Sequence, residues 1–171
     1  MNRGCHMALL LLLTLLSACG PEPATDVVSL PVPPGEACTL DGMLIGQHDG
    51  PKAQLLRHDG ERAYFCDAAE VFGEWLDPVR QRRVAGLWFQ GLDEGPWEAH
   101  DDGWSQAQDL FFVAGSRRLG AMGPTLAPFM KQASARAFVE QYGGTIYRFD
   151  DIDAAVIQRL RRQRFDHLTR N

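Results

Sequence analysis

The chain has 171 residues, of which 22 are acidic and 17 are Lys or Arg, and its formal net charge is −5 at pH 7. Nucleic-acid binding needs clustered basic residues that neutralise phosphates, so this acidic balance excludes nucleic acid as an expected partner. The length and the hydrophobic share of 45 % are those of a chain with one folded domain.

The first 18 residues predict a bacterial lipoprotein signal peptide. An apolar run from Ala8 to Ala18 follows one positive charge, and it is too short for a membrane-spanning helix, which needs about 20 residues. The sequence LSAC at 16–19 is typical of a lipobox, so we expect Cys19 to be acylated and to become the N-terminus. Gly20 follows instead of Asp, so an inner-membrane retention signal is missing. The alternative is a secreted protein in which Cys19 is incidental.

Residues 19–36 predict a stiff, extended tether, since they hold five of the ten prolines. Two cysteines then remain after the signal peptide and Cys19, namely Cys38 and Cys66. Two thiols in an oxidising compartment form a disulfide by default. Ordinary burial and metal binding are the other interpretations, and for Cys66 all three stay open.

The first half of the domain predicts two strands, a helix and a third strand. Residues 53–66 indicate a hairpin around Asp59-Gly60, a dipeptide suited to tight turns. Residues 66–76 predict a helix, in which Asp67 and Glu70 would form a capping box. The bulky apolar run 83–92 predicts the third strand.

The second half predicts a similar order of elements. We expect a strand at 109–116, a long loop at 117–129, a helix at 132–144 with Ala137, Phe138 and Tyr142 on one face, and a strand at 145–149. The fold class is therefore α+β. Two small related strand–strand–helix–strand units, about 37–103 and 104–152, would form one compact domain over 37–152. Residues 153–171 predict an Arg-rich tail, which we interpret as a solvated helix end. Contact with lipid headgroups or with an acidic partner is the alternative.

Thiolate and thioether side chains suggest a soft metal site, because these ligands prefer Cu(I). In the segment CTLDGM, Cys38 and Met43 are five residues apart with Asp41 between them as a possible weak oxygen ligand. Met122 lies in the segment GAMGP, where core packing explains a methionine poorly. Met130 is assigned to the core.

Catalytic motifs are scarce. The sequence has no G-x-S-x-G, no P-loop and no C-x-x-C or H-x-x-x-H zinc spacing. Asp101 and Asp102 are interpreted as a solvated turn, and His48 and His58 as surface residues. A thiol-dependent enzyme that uses a cysteine beside an aspartate remains an alternative, but it lacks a positioned histidine base.

Seven segments in the same order resemble the nitrous oxide reductase accessory lipoproteins, the NosL family. They run from about residue 38 to 152 and read CTLDGM, GPKAQLLRHDG, FCDAAEVF, WFQGL, FFVAGS, GAMGPTLAPF and FVEQYGGTIYRFDDI. The resemblance implies a fold of two related α+β units. It also implies a protein without enzymatic turnover, anchored by lipid in a Gram-negative envelope, facing the periplasm, with the outer membrane as the expected location.

The resemblance further implies a chaperone that delivers Cu(I) for the copper–sulfide centre of nitrous oxide reductase. Its partners would be the reductase or accessory proteins of its assembly. The copper ligands carried over are Cys38, Met43 and Met122, with Asp41 and Cys66 as further candidates. Some relatives place a cysteine where this chain has Asp41, so the thiolate would come from Cys38. The competing interpretation is an envelope lipoprotein with a structural Cys38–Cys66 disulfide and no metal.

Overall fold

The computed structural model of the protein describes residues 27–93, 95–98 and 103–168, with side chains to residue 163. The predicted signal peptide, Cys19 and the pair Asp101 and Asp102 lie outside these residues. Among the helices of the described chain, none has both the length and the apolar character needed to cross a membrane.

The first sheet is antiparallel and has four strands. They are β1 (Ala53–Arg57), β2 (Arg62–Phe65), β3 (Val84–Gln90) and β4 (Trp104–Gln106). Two short helices lie between β2 and β3 in the chain, α1 (Phe72–Trp75) and α2 (Pro78–Gln81). The predicted hairpin is confirmed, because β1 pairs with β2 and Gly60 in the turn has φ +86°, which only glycine adopts freely. The third predicted strand is confirmed as β3.

The second sheet has three antiparallel strands and carries one helix. The strands are β5 (Phe111–Gly120), β6 (Gly123–Phe129) and β7 (Thr145–Arg148). Helix α3 (Gln132–Tyr142) lies between β6 and β7, as predicted, and α4 (Ala154–Leu168) follows the sheet. Gly143 ends α3 with φ +77°.

The two sheets share one topology, which confirms the α+β fold of two related units. The strand order is β2-β1-β3-β4 in the first sheet and β6-β5-β7 in the second. In each unit the first strand is central, the second pairs with it as a hairpin, and the strand after the helix pairs on its other side. Strand β4 extends the first sheet past residue 103, where the first unit was expected to end.

The helix predicted over 66–76 is wrong in its extent. The chain makes turns from Asp67 to Val71 and becomes helical only at Phe72. The predicted capping box is also absent from this segment, because the Asp67 carboxylate binds groups of the second unit, as described below. Pro78 then begins α2, with Asp77 as its cap: the Asp77 side chain accepts from the Val79 and Arg80 amides.

The loop predicted over 117–129 is also wrong, since this segment is the end of β5 and the whole of β6. Gly120 pairs with Gly123, so Ala121 and Met122 form a two-residue hairpin turn. The prolines that suggested a loop are tolerated because β6 is an edge strand, where a missing amide hydrogen costs little.

One hydrophobic core joins the two units. The rings of Phe89 on β3 and Phe112 on β5 meet edge to face with centroids 4.9 Å apart, and Phe149 packs against both. The opposite face of the second sheet carries α3, where Phe138 and Ala135 pack on Val113. Ala137, expected on the packed face of α3, is exposed.

Part of the predicted tether is bound to the domain. The buried Gln54 side chain accepts from the Leu30 amide (3.0 Å) and donates to the Leu30 carbonyl (2.9 Å). Arg62 donates to the Val28 carbonyl (2.7 Å), and the Tyr64 hydroxyl donates to the Pro31 carbonyl (3.5 Å). The segment 28–31 therefore lies on the first sheet.

Helix α4 belongs to the core, so the packed domain continues beyond Ile152. Val156, Ile157 and Leu160 are buried in the main core. Arg161 and Arg162 are exposed on the same helix, in keeping with the solvated arginines expected for this segment.

Replacing Leu160 with alanine should destabilise the domain by about 2–5 kcal/mol, because it removes a fully buried side chain and leaves a cavity. Urea denaturation measures the change in the free energy of unfolding. The exposed neighbour Gln158, replaced with alanine, should change it by less than about 0.5 kcal/mol. Equal effects of the two substitutions would contradict the packing of α4 in the core.

Candidate metal centre

The segment Cys38–Met43 folds into a tight turn that brings its two ends together. The Cys38 amide donates to the Met43 carbonyl (2.7 Å), and the Gly42 amide donates to the Cys38 carbonyl (2.9 Å). Asp41 Oδ1 accepts from the Met43 amide (3.0 Å), a side-chain bond that fixes such turns. This turn explains why a thiol and a thioether five residues apart are close in space.

The edge of β2 positions this turn against the second cysteine. The Thr39 amide donates to the Tyr64 carbonyl (2.8 Å), and Thr39 Oγ1 accepts from the Tyr64 amide (3.2 Å). The Cys66 amide in turn donates to Cys38 Sγ (3.4 Å). Cys38 is therefore held beside Cys66 by backbone contacts of the strand edge.

Four potential ligand groups meet at this point: Cys38, Asp41, Cys66 and Glu70. One ligand atom from each lies within 4.8 Å of all the others. Both cysteines are free thiols, and they are 3 % and 0 % exposed. The structure thus brings together three of the residues predicted from the sequence and adds Glu70.

Glu70 accepts hydrogen bonds from both thiols. Its Oε2 lies 3.5 Å from Cys38 Sγ and 3.4 Å from Cys66 Sγ. Sequence reasoning assigned Glu70 to a helix cap and missed it here. The sequence feature that could have identified Glu70 is its position four residues after Cys66, because residues at this spacing lie on one face of a turn or helix.

The two candidate methionines pack on the same cluster. Met43 and Met122 are both half-buried, and they pack against a buried group that Cys38 and Cys66 form with Ile45 and Tyr64. Met122 reaches it from the hairpin turn between β5 and β6, so the second unit contributes to the site. Met130, predicted to lie in the core, is 56 % exposed; that prediction is wrong, because Met130 follows the last residue of β6 on the surface.

Burial favours the protonated forms of the two thiols and of the Glu70 carboxyl group. It raises the pKa of Cys38, and it raises the pKa of Cys66 further because the Glu70 charge lies beside it. Burial and the charge of Asp67 raise the pKa of Glu70. The thiols are therefore neutral hydrogen-bond donors near pH 7, unlike the activated thiolate of a cysteine nucleophile.

No histidine lies in this group of side chains within the described residues. His58 is exposed beside the β1–β2 turn, and His48 offers its backbone carbonyl to Lys52. These positions fit the surface roles expected for His48 and His58. The potential proton acceptors of the cluster are therefore the carboxylates of Asp41 and Glu70 rather than an imidazole.

A cleft of about 200 Å³ opens beside the cluster. It is lined by Leu40, Glu70 and Met122, with Arg80 and Arg161 also contributing. Leu40 is 64 % exposed. An incoming ligand group can therefore reach the carboxylate and the thioether from solvent without unfolding of the domain.

Comparison of the sequence with known proteins points to one family. The sequence model of the NosL family matches residues 29–157. The copper-binding lipoprotein NosL of Stutzerimonas stutzeri is 34 % identical over 146 residues, which cover 84 % of this chain and 76 % of that protein. The copper-binding lipoprotein NosL of Achromobacter cycloclastes is 30 % identical, covering 85 % of this chain and 78 % of that protein.

The fold agrees as well. The crystal structure of the copper chaperone NosL from Shewanella denitrificans matches with a TM-score of 0.73 at 34 % identity, covering 77 % of this chain and 99 % of that chain. The resemblance of seven ordered segments is thereby confirmed over most of the folded domain. This chain belongs to the NosL family.

Proposed function

We propose that this protein is a lipid-anchored Cu(I) chaperone that delivers copper for the copper–sulfide centre of nitrous oxide reductase. It is anchored through Cys19 in the envelope of a Gram-negative bacterium, at the outer membrane, and it faces the periplasm. Its partners are the reductase or the accessory proteins of its assembly. The names of its relatives, copper-binding lipoproteins and a copper chaperone, support the anchor and the cargo.

One observation carries the choice of cargo: two thiols and two thioethers share one cluster. Met43 of the first unit and Met122 of the second unit both pack against the buried group that contains Cys38 and Cys66. Sulfur ligands of this softness prefer Cu(I) to the divalent ions that carboxylates and waters bind. In this proposal Cys38, Met43 and Met122 hold the ion, with Cys66 and Asp41 as additional ligands.

The surroundings suit transfer of an ion rather than turnover of a substrate. The thiols are protonated and hydrogen-bonded to Glu70 when the site is empty, so the apo pocket is stable without metal. The cleft beside Met122 admits ligands of an acceptor protein, which can replace the bound ligands one at a time. We therefore propose binding and release without catalysis.

Anaerobic titration with Cu(I) against a competing chelator should give tight binding of about one ion per chain. We expect Cys38→Ser to abolish this binding, because it removes a thiolate ligand, and Met43→Leu and Met122→Leu to weaken it by about 10–100-fold each. Met130→Leu is the matched control, since Met130 is exposed and outside the cluster. Cys66→Ser shows whether the second thiol is a ligand.

A different result would favour the disulfide interpretation. Absence of binding above the chelator, together with a Cys38–Cys66 disulfide found by mass spectrometry under mild conditions, would leave an envelope lipoprotein without metal. A normal affinity in the Cys38→Ser variant would instead place the copper elsewhere.

Copper affinity should rise with pH. Burial raises the pKa of Cys38 and Cys66, so each thiol is protonated near pH 7 and must release a proton to become a ligand. The logarithm of the apparent binding constant should increase by about one per pH unit for each thiolate bound. A slope near one indicates Cys38 alone, and a slope near two indicates both cysteines.

Glu70→Gln should move this profile to lower pH, because it removes the negative charge that raises the pKa of Cys66. Titrations at a series of pH values give both profiles. A binding constant that does not change between pH 6 and 9 would contradict thiolate ligation.

In a denitrifying cell that lacks its own NosL, this chain should restore copper loading of nitrous oxide reductase. Cys38→Ser should fail, and Met130→Leu should succeed. The copper content of the purified reductase is the measurement, and Cys19→Ser tests the need for the anchor. Full loading by Cys38→Ser would contradict the delivery role.

A further inference from the structure

The buried carboxylate of Asp67 links the two units beside the candidate metal centre. Asp67 is 1 % exposed and follows Cys66 in the chain. Its Oδ1 accepts from Thr125 Oγ1 (2.5 Å) on β6 and from the Ala69 amide (2.9 Å), and its Oδ2 accepts from the Met122 amide (3.3 Å). One side chain of the first unit thus contacts the second unit twice, at Met122 in the β5–β6 turn and at Thr125 on β6.

The backbone at the β5–β6 turn lies so close to the Asp67 carboxylate that no further side chain fits between them. A Cβ added to Gly120 would lie 2.4 Å from Asp67 Oδ2, closer than any real contact. A Cβ added to Gly50 would lie 2.7 Å from the Gly120 Cα. Glycines beside a methionine suggest a flexible turn. Gly120 instead allows the backbone of the turn to approach the Asp67 carboxylate closely. The turn is tightly seated on the first unit.

A buried lysine, Lys52, lies near the Asp67 carboxylate. Lys52 is 1 % exposed, and its ammonium donates to the carbonyls of His48 and Gly50. Burial lowers the pKa of Lys52 and raises the pKa of Asp67, and the charge that each group carries opposes the shift of the other. A buried carboxylate with a nearby ammonium and three donors is held in one geometry, because breaking any of these contacts leaves a buried polar group unsatisfied.

We propose that Asp67 is the positioning residue that sets the copper affinity of the site by holding Met122 against the thiols. The other ligands belong to the first unit and are joined by the edge of β2, whereas Met122 comes from the second unit. Asp67 is adjacent to Cys66 in the chain and accepts a hydrogen bond from the Met122 amide, so it fixes the distance between Met122 and the ligands of the first unit. This inference rests on the proposed binding of Cu(I).

A double-mutant cycle with Asp67→Asn and Met122→Leu tests the proposal. In the wild-type background Asp67→Asn should weaken Cu(I) binding by about 10–100-fold, the usual loss when a residue that orients a metal ligand is removed. In the Met122→Leu background the same change should weaken binding by less than about twofold, because the ligand it positions is already gone. Loss of a negative charge would act equally in both backgrounds and would give additive effects.

X-ray absorption at the copper edge gives a second readout. The Asp67→Asn variant should lose one sulfur scatterer, as Met122→Leu does, while the cysteine sulfur stays. Asp93→Asn is the matched control: the Asp93 carboxylate accepts from the amides of Met130 and Lys131 on another turn. That control should leave copper affinity and the sulfur count unchanged. An unchanged sulfur count in Asp67→Asn would overturn the proposal.

Thr125→Val keeps the proposal testable if Asp67→Asn does not fold. It removes one donor to Asp67 without touching Met122, so it should weaken binding by a smaller factor, and this loss should also vanish in the Met122→Leu background. Additive losses in both cycles overturn the positioning role while leaving copper binding intact. Failure of the wild-type protein to bind Cu(I) would instead overturn the proposed function.

Discussion

The hydrogen bonds between Thr39 and Tyr64 are the contact on which the metal centre depends. They occupy the open edge of β2, which would otherwise present unpaired amides and carbonyls to solvent or to another chain. Because the same segment carries Cys38, satisfying the edge also places one thiol beside Cys66 at the end of the strand. The hydrogen bonds of Thr39 with Tyr64 therefore both pair the open edge of the sheet and assemble the site.

In the absence of a metal, the buried sulfur and oxygen groups of this site form hydrogen bonds with one another. Glu70 accepts from both thiols, and the Cys66 amide donates to Cys38 Sγ. Entry of a cation would replace these hydrogen bonds by metal–sulfur bonds and release the thiol protons. If the site binds Cu(I) as proposed, the empty and the loaded states could share one backbone arrangement.

The sequence predicted those features that depend on neighbouring residues. The hairpin at Gly60, the strand β3 and the repeated order of elements follow from turn residues and apolar runs within short windows. Cys38, Met43 and Met122 were found because soft ligands in glycine-rich segments are chemically distinctive. The metal-binding role of these three residues stays a prediction.

Features that depend on residues distant in the sequence were missed. Strand β6 carries prolines that suggest a loop, and only its place at the edge of the sheet permits them. Glu70 and Asp67 fit a helix cap when they are read locally, yet their carboxylates face the thiols and the β5–β6 turn. The apolar side chains of α4 were hidden among arginines, because their partners lie on strands far away in the sequence.

The docking of residues 28–31 on Gln54 and Arg62 limits how far the protein can work from a membrane. If Cys19 carries the lipid, residues 20–27 are the connection that remains between anchor and domain. Eight residues span at most about 30 Å when fully extended. The domain would then stay within that distance of the lipid surface. If it transfers copper as proposed, the acceptor would have to come equally close to the membrane. Two membrane-bound proteins of this kind would meet by diffusion in two dimensions along the membrane. The length of the connection between anchor and domain would then decide which proteins the domain can reach.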